Sequence, residues 1–360
     1  MKKQGVYFLL MICLIGTAVP QTVTASAGAI SFSMPQFSVS DTNLYQYMPF
    51  PMGASVGIAR MKNNGRYSEL VSKEFNSITA ENAMKFRALH PSENTFNWAD
   101  ADYLVDFAQK NGKRLHGHTL NWYQYLPAWV NNFSGDSIAW ENMLKTHIQT
   151  VVSHFKGKVT SWDVVNEYFN DDGTIRPSVW VKNLGPDYIA RCFQYAHEAD
   201  PDAILFYNDY GHEYSSAKRT AIGKLINSFK ARNIPIHGIG MQFHMTYTQT
   251  DANISAAIAF AAATGLMVHI SELDVRVNAS KVQDLVFTDA MAVQQADRYK
   301  QVVKTYNAIP KAQQFGITTW NVGDADSWVP SWQGAPDWPL PFDANYLRKP
   351  AYKAIIEGGK

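Results

Sequence analysis

The chain has 360 residues, with 32 Lys and Arg against 31 Asp and Glu. Its formal charge of +1 provides no electrostatic field that would attract nucleic acid or an acidic membrane surface, so we expect neither as a partner. The two cysteines, Cys13 and Cys192, are too few for a disulfide framework or a cysteine-rich zinc ribbon.

Residues 1–27 have the pattern of a secretory signal peptide. Two lysines precede an apolar run from Val6 to Val19, and Ala25-Ser26-Ala27 offers a small-residue cleavage site. The apolar run is shorter than the roughly 20 residues of a membrane-spanning helix, so we expect no membrane span. The mature protein is therefore predicted to be secreted or periplasmic. Residues 28–45, rich in serine and small residues, are predicted to be a tether, and residues 46–360 a single domain.

Short apolar segments alternate with longer amphipathic ones along this domain, which favours a parallel sheet wrapped by helices. Helical periodicity is clear in Tyr188–Ala199, Thr220–Ala231 and Gln294–Ile309. Eight segments are predicted to be strands: Ala54–Ile58, Ser77–Thr79, Arg114–His118, Ser161–Val165, Ile204–Tyr207, Gly238–Phe243, Met267–Ser271 and Gly316–Trp320. Eight β/α units predict an α/β fold, a (β/α)8 TIM barrel. A doubly wound sheet is the alternative, but no glycine-rich phosphate loop follows the first predicted strand.

Polar residues cluster at the carboxyl end of every predicted strand after the first. In a closed barrel these ends converge on one face, where active sites are built. Strand capping explains one or two such residues but not seven strands in succession, so the sequence predicts one site at this face. In chain order the residues are Glu81, Asn82, Lys85, His116, His118, Trp122, Asn166, Glu167, Asn208, Asp209, Tyr210, Gln242, His244, Glu272, Asp274 and Trp320.

Two of these residues, Glu167 and Glu272, are carboxylates that follow largely apolar strands. Strands four and seven lie on different walls of an eightfold barrel, so the two side chains are predicted to face each other across its mouth. Such a pair can cleave a glycosidic bond, because one carboxyl protonates the leaving oxygen while the other attacks or stabilises the anomeric carbon. A salt bridge at the barrel rim is the alternative for either residue alone.

The segments around these carboxylates also carry a resemblance. Trp162–Glu167 reads WDVVNE and Ile270–Val275 reads ISELDV, which resemble the acid/base and nucleophile signatures of glycoside hydrolase family 10, the xylanases. Weaker matches in order extend the likeness from about Tyr45 to Ala354. The resemblance implies that residues 46–360 are the catalytic domain of a secreted endo-1,4-β-xylanase that works by a retaining double displacement. It implies xylan or xylo-oligosaccharides as substrate, a monomer, and no cofactor or metal.

Residue roles follow from this resemblance. Glu167 would be the general acid and then base, and Glu272 the nucleophile. Asn166 would bind the sugar 2-hydroxyl, and His244, oriented by Asp274, would keep Glu272 ionised. The remaining substrate contacts implied are Gln242 near Glu167, Trp122 beyond strand three, the glycone floor of Glu81, Asn82, Lys85 and His118, the aromatic lid of Trp320 and Trp328, and Asn208 with Tyr210 on the aglycone side.

Three residues depart from the family pattern. Tyr123 replaces a histidine, Tyr125 replaces a glutamine that contacts sugar, and Asn321 occupies a position that is usually glycine. Tyr125 is therefore expected to change which oligosaccharide lengths or linkages are accepted, unless it only fills space. The segment 330–341, with Trp332, Trp338 and four prolines, is predicted to form an unusual rim.

Three rival functions remain open. A metal-dependent hydrolase could use His116 and His118 as zinc ligands, although such enzymes usually carry the pair on the first strand, where this chain has no histidine. A non-catalytic sugar-binding barrel would normally lack one of the two carboxylates. A β-glucanase is the nearest enzyme alternative, but Lys85 and the tryptophans near strand eight should crowd a C6 hydroxymethyl group and favour xylose.

Overall fold

The computed structural model describes residues 42–360. The predicted signal peptide and residues 28–41 of the predicted tether lie outside the described residues. The described chain opens with a 3-10 helix at Leu44–Tyr47, and the side chain of Leu44 is buried. The Leu44 backbone N–H donates to Glu74 Oε2 at 2.7 Å, so the last residues of the predicted tether already contact the domain.

The strands form one closed parallel barrel. Eight of them pair around the ring in the order β1-β2-β3-β4-β5-β6-β8-β9 and back to β1, while the short β7 extends the edge of β8. Ring closure confirms the predicted (β/α)8 TIM barrel and excludes the doubly wound sheet, which is open. The strands are β1 (Met52–Val56), β2 (Ser77–Ala80), β3 (Arg114–Trp122), β4 (Ser161–Asn166), β5 (Ile204–Asp209), β6 (Gly238–Met241), β7 (His244–Thr246), β8 (Met267–Arg276) and β9 (Gln314–Thr319).

Helices connect successive strands and cover the outside of the barrel. Short 3-10 helices lie at Lys311–Gln313 and Asp324–Asp326. The α-helices of the described chain are α1 (Ile58–Asn63), α2 (Gly65–Glu74), α3 (Phe86–Leu89), α4 (Ala99–Lys110), α5 (Ala128–Asn131), α6 (Ser137–His154), α7 (Val179–Leu184), α8 (Tyr188–Ala199), α9 (Ser216–Ala231), α10 (Asp251–Ala263), α11 (Asp289–Asn307), α12 (Val329–Gln333) and α13 (Pro350–Gly359).

The three helices predicted from periodicity are present, and two begin earlier than predicted. Helix α8 has the predicted bounds. Helices α9 and α11 each begin at a side-chain cap that lies upstream of the predicted start. Ser215 Oγ accepts from the Lys218 N–H at 3.1 Å, and Thr288 Oγ1 accepts from the Met291 N–H at 3.3 Å.

Two strands differ from prediction in ways that shape the site. Strand β8 continues five residues past Ser271 to Arg276, so Glu272 lies within the strand and not beyond it. The predicted sixth strand ends at Met241, and Phe243 takes a left-handed backbone with φ 60°. The chain then resumes at His244 as β7, paired with β8 so that His244 lies opposite Asp274.

Candidate active site

An open cleft of about 580 Å³ lies at the carboxyl ends of the strands. It brings together residues that lie in β3, β4, β7 and β8 or directly follow β2, β4, β5, β6 and β9, as the convergence of strand ends predicts. The predicted residues that line it are Glu81, Asn82, Lys85, His118, Trp122, Asn166, Glu167, Tyr210, Gln242, His244, Glu272, Trp320 and Trp328.

Glu167 stands at the end of β4, where its left-handed backbone, with φ 60°, turns the chain out of the strand. Trp122 Nε1 donates to Glu167 Oε2 at 3.0 Å, and Gln242 Nε2 donates to Glu167 Oε1 at 3.1 Å. Burial and the negative charge of Asp209 nevertheless raise the pKa of Glu167, because they outweigh these two donors. A carboxyl in this environment is suited to carry a proton.

Glu272 lies on β8 with each oxygen held by a different donor. Asn208 Nδ2 donates to Oε1 at 2.8 Å, and His244 Nε2 lies 3.2 Å from Oε2. Although burial alone would raise the pKa of Glu272, the hydrogen bond and charge of His244, with a contribution from His118, lower it. The two carboxyls therefore have environments that push their pKa values apart, which is how acid and base roles are separated in one site.

His244 connects Glu272 to a second carboxylate. Its Nδ1 lies 2.8 Å from Asp274 Oδ2, and the same Asp274 oxygen accepts from Trp328 Nε1 at 2.9 Å. Burial opposes protonation of His244, but the charge and hydrogen bond of Asp274, together with Glu272, raise its pKa to about 10. The imidazolium therefore donates from both ring nitrogens at neutral pH, which favours the ionised form of Glu272.

Asn208 lies behind the cleft surface. Its side chain has no exposed surface and is absent from the cleft lining. Both of its amide hydrogens are used, one on Glu272 and one on Asn166 Oδ1 at 2.9 Å, while its Oδ1 accepts from Ser271 Oγ. A Cβ at residue Gly240 would lie 2.3 Å from Asn208 Oδ1, so only glycine there leaves room for this arrangement. Asn208 positions Glu272 from behind.

Lys85, a residue of the cleft floor, lies close to both its floor neighbour Asn82 and the aromatic lid. Its ammonium lies 3.0 Å from Asn82 Oδ1, and 5.0 and 5.9 Å from the ring centroids of Trp122 and Trp320. Burial lowers the pKa of Lys85, although nearby carboxylates, Glu272 first among them, oppose the change. His118, on the neighbouring wall, is fixed by a 2.9 Å contact between its Nδ1 and Asp163 Oδ2.

Tyr210 lines the cleft and rests on two cations that the sequence did not identify. Arg176 Nη2 donates to the Tyr210 hydroxyl at 2.7 Å, and Arg176 Nε donates to the backbone oxygen of Glu167 at 3.0 Å. Lys218, wholly buried, lies 3.3 Å from the Tyr210 ring centroid and 3.0 Å from Asp209 Oδ1. Neither cation belongs to a recognisable motif, so no local signal could have found them.

The two tyrosines that depart from the family pattern have different surroundings. Tyr123 lines the cleft, with the Arg176 guanidinium 4.6 Å from its ring centroid. Tyr125 is not among the cleft residues: its ring packs against Arg87 at 4.0 Å and Lys85 at 5.3 Å, and its backbone is left-handed with φ 55°. This placement supports the space-filling alternative for Tyr125 and not direct contact with sugar.

The backbone conformation at Asn321 accounts for the glycine that the family pattern usually has at this position. Its φ is 83°, in the left-handed region that glycine adopts without strain and that asparagine tolerates better than most residues. Its backbone N–H donates to Ser55 Oγ at 2.8 Å, and the residue is buried. The Asn321 side chain also interacts with the carboxyl of Glu81 and partly offsets the rise in its pKa that burial causes, so the departure affects the cleft floor as well as the turn after β9.

The two histidines considered as zinc ligands contact other side chains of the protein. His116 Nδ1 lies 2.8 Å from Ser161 Oγ, and the imidazole of His118 contacts Asp163. No group of three or more His, Cys, Asp or Glu side chains in this range is arranged to hold a metal ion. Across the same residues, no helix combines the length and apolar character needed to cross a bilayer.

The sequence assigned no site role to six of the cleft residues. They come from loops, or from a strand end that continues beyond its predicted limit, and none stands in a motif. They are Gln124, Gly211, Glu213, Tyr214, Arg276 and Trp332, of which Trp332 lies in the predicted rim segment 330–341.

Known proteins of one family resemble this chain over most of its length. The sequence profile of glycosyl hydrolase family 10 matches residues 42–358. Endo-beta-1,4-xylanase Xyn10C of Cellvibrio japonicus is 37% identical over 93% of this chain and 61% of its own length. Exoglucanase XynX of Acetivibrio thermocellus is 37% identical over 86% of this chain and 29% of its own length. This chain thus spans less than two thirds of either curated relative.

Two solved structures are similar throughout the barrel. Native xylanase 10B from Thermotoga maritima is 36% identical with a TM-score of 0.82, covering 89% of this chain and 98% of that one. The E385A variant of xylanase 10C from Cellvibrio japonicus, solved in complex with xylopentaose, is 37% identical with a TM-score of 0.83. That comparison covers 88% of this chain and 69% of the other.

Proposed function

Because this chain belongs to glycosyl hydrolase family 10, we propose that it is an endo-1,4-β-xylanase that hydrolyses β-1,4-xylosidic bonds with retention of configuration. The observation that carries the proposal is the contrast between the two carboxyls of the cleft. The pKa of Glu167 is raised, chiefly by burial, whereas the pKa of Glu272 is lowered against burial by His244. One group is prepared to give a proton and the other to attack as an anion.

In the first step, a Glu272 carboxylate oxygen bonds to the anomeric carbon as the glycosidic bond breaks. Glu167 gives its proton to the departing oxygen, so the aglycone leaves as a neutral alcohol. Asn208 and His244 hold one Glu272 oxygen each, which aims the carboxylate and limits its rotation. Oxygen atoms already fixed in this way need little reorganisation in the transition state.

In the second step, water replaces Glu272 at the anomeric carbon. Esterification removes the negative charge of Glu272, which contributes to the raised pKa of Glu167, so Glu167 then ionises more readily. Glu167 takes a proton from the attacking water, the hydroxyl bonds to the sugar, and Glu272 leaves as a carboxylate. Both residues return to their starting protonation states.

Asn166 is suited to bind the sugar hydroxyl next to the reacting carbon. Its Oδ1 accepts from Asn208 at 2.9 Å and from Gln242 at 3.2 Å, which fixes the amide orientation and leaves Nδ2 for the substrate. The Lys85 ammonium lies 5.9 Å from the ring centroid of Trp320. The two side chains narrow the part of the cleft where a hexose would carry its C6 hydroxymethyl group. This narrowing favours xylose over glucose.

We also propose that the protein acts outside the cytoplasm as a monomer. The lysines and apolar run of residues 1–27 support export, and residues 28–41 would become the amino-terminal segment of the mature chain after the leader is cleaved. Amino-terminal sequencing of the exported protein tests the leader, since an uncleaved Met1 would contradict it. Light scattering tests the monomer.

Product analysis tests the proposed reaction. The protein is incubated with linear xylan, arabinoxylan, mixed-linkage glucan and cellulose, and the anomeric configuration of the first product is followed by proton NMR. We expect xylo-oligosaccharides of several lengths in the β-configuration, and a 2-fluoro-xylobioside with a good leaving group should label Glu272 covalently. Inversion, a label on another residue, or faster release from glucan than from xylan would contradict the proposal.

A further inference from the structure

One rim of the cleft carries an exposed aromatic ring next to two cations. Trp332 is 57% exposed, and its ring centroid lies 5.1 Å from that of Trp328. The Arg276 guanidinium lies 5.2 Å and the Lys281 ammonium 5.5 Å from the Trp332 ring centroid. Arg276, Lys281 and Trp332 are called the cationic rim below.

The cationic rim is held in place by a buried carboxylate. Asp337 accepts from the backbone N–H groups of Val277 at 2.9 Å and Asn278 at 3.2 Å, directly after β8. Gln333 Nε2, next to Trp332 on α12, donates to the same carboxylate at 3.1 Å. The segment that carries Trp332 is therefore fastened to the end of the strand that carries Arg276, and their relative position is fixed before any substrate arrives.

Neither cation of the rim has a carboxylate partner among residues 42–360. The guanidinium of Arg276 forms no hydrogen bond or ion pair within residues 42–360, and its Nε is buried without a partner. The carboxylates that line the cleft are Glu81, Glu167, Glu213 and Glu272, and none is within ion-pair distance of Arg276 or Lys281. A half-buried guanidinium without a partner is a ready site for a carboxylate, which it can bind through two parallel hydrogen bonds.

The rim also adjoins the residues that orient the catalytic carboxylate. Trp328, which contacts Trp332, donates to Asp274 and so belongs to the network that orients His244 and Glu272. Trp332 is thus the next ring outward from the catalytic centre. Its exposed face can pack against the C–H face of a sugar while Arg276 binds a charged group on that sugar.

We propose that Arg276, Lys281 and Trp332 form a subsite for a uronic-acid substituent carried by the xylan chain. This inference rests on the proposed xylanase function and adds a substrate class to it. The ring of the acidic sugar stacks on Trp332, and its carboxylate accepts from Arg276, with Lys281 adding positive charge at the outer edge.

A matched pair of substrates tests the proposal. Glucuronoxylan and the same polymer after reduction differ only in that each carboxylate of the first is a neutral primary alcohol in the second. We expect the wild type to have a kcat/KM for the acidic polymer on the order of tenfold above that for the reduced one. Raising the ionic strength from about 0.01 to about 1 M, which shortens the Debye length from about 30 to about 3 Å, should reduce this ratio.

Variants of the rim should change the ratio in graded steps. Arg276→Met should bring the ratio of kcat/KM values to about one, and Arg276→Lys should give an intermediate ratio. Lys281→Glu should also lower the ratio, and because Lys281 is exposed, this change should leave the fold intact. Lys311→Met is the matched control, because Lys311 precedes β9 at the opposite end of the barrel. It should leave the ratio as in the wild type.

The outcomes separate this proposal from the one it rests on. A wild-type ratio of one or less, or a ratio that both Arg276→Met and Lys281→Glu leave unchanged, overturns the uronic-acid subsite while the xylanase function stands. If the wild type cleaves neither polymer, the xylanase function itself fails. A ratio that falls in the rim variants but not in Lys311→Met establishes the subsite.

Discussion

Asn208 donates a hydrogen bond to Glu272 at 2.8 Å although the asparagine has no exposed surface. A side chain behind the cleft surface therefore fixes one oxygen of the proposed nucleophile. Residues that hydrogen-bond to a reacting side chain commonly affect the reaction rate nearly as much as the reacting side chain does, because they determine the orientation of its atoms. The arrangement leads to the first prediction.

Asn208→Ala should lower kcat for xylan by about 10- to 100-fold with little change in KM, because a hydrogen bond to a charged group contributes about 1.5–3 kcal/mol. Steady-state kinetics on linear xylo-oligosaccharides measure both constants. Ser271→Ala is the matched comparison, since it removes only the donor to Asn208 Oδ1. Ser271→Ala should lower kcat less than Asn208→Ala does. Equal losses, or a loss confined to KM, would contradict a positioning role.

Glu167→Ala should slow the hydrolysis of xylan by about 10²- to 10⁴-fold, the usual contribution of a general acid. Aryl xylobiosides with acidic leaving groups should lose far less kcat/KM, because their leaving oxygen departs without protonation. The comparison is made across a series of phenols of falling pKa. If every substrate in the series lost rate equally, the acid role of Glu167 would be wrongly assigned.

Trp122→Phe should move the basic limb of the pH profile of kcat/KM to higher pH. The indole N–H donates to Glu167 at 3.0 Å and favours its ionised form, so removing it raises the pKa of Glu167, and the acid stays protonated to higher pH. We expect a shift of up to about one pH unit, the equivalent of roughly 1.4 kcal/mol.

The acidic limb, which reports ionisation of Glu272, should stay in place in Trp122→Phe. Trp98→Phe is the control, because Trp98 is half-buried on the barrel exterior and stacks on His154. It should move neither limb. A basic limb that moves to lower pH in Trp122→Phe would contradict the assignment of Glu167 as the acid.

Tyr125→Gln should lower the free energy of unfolding by about 1–2 kcal/mol while leaving oligosaccharide preference within about twofold. The variant loses the ring contacts with Arg87 and Lys85, each of which contributes about 0.5–1 kcal/mol at a partly exposed site. Urea unfolding and kinetics on xylobiose, xylotriose and mixed-linkage substrates provide the two measurements. Tyr125→Phe keeps the ring and should behave as the wild type. A several-fold change in preference without loss of stability would restore the sugar-contact role.

The alternation of short apolar segments with longer amphipathic segments was sufficient to predict the barrel and the face that carries the site. Parallel strands buried on both sides must be nearly continuous apolar runs, and their carboxyl ends must meet at one face. For that reason the sequence predicts that Glu167 and Glu272, 105 positions apart in the chain, share one cleft. Residues close to a strand end, such as Gln242 and His244, were placed in the same cleft for the same reason.

The tertiary structure alone decided which way each of these side chains points and what lies behind it. Asn208 reaches Glu272 and not the cleft because the pleat of β5 directs it inward and Gly240 leaves it room. Arg276 meets Trp332, 56 positions away, only because Asp337 fastens α12 to the end of β8. Orientation and loop packing depend on contacts between distant segments, whereas the order of strands and the residues at their ends are written in local patterns of hydrophobicity.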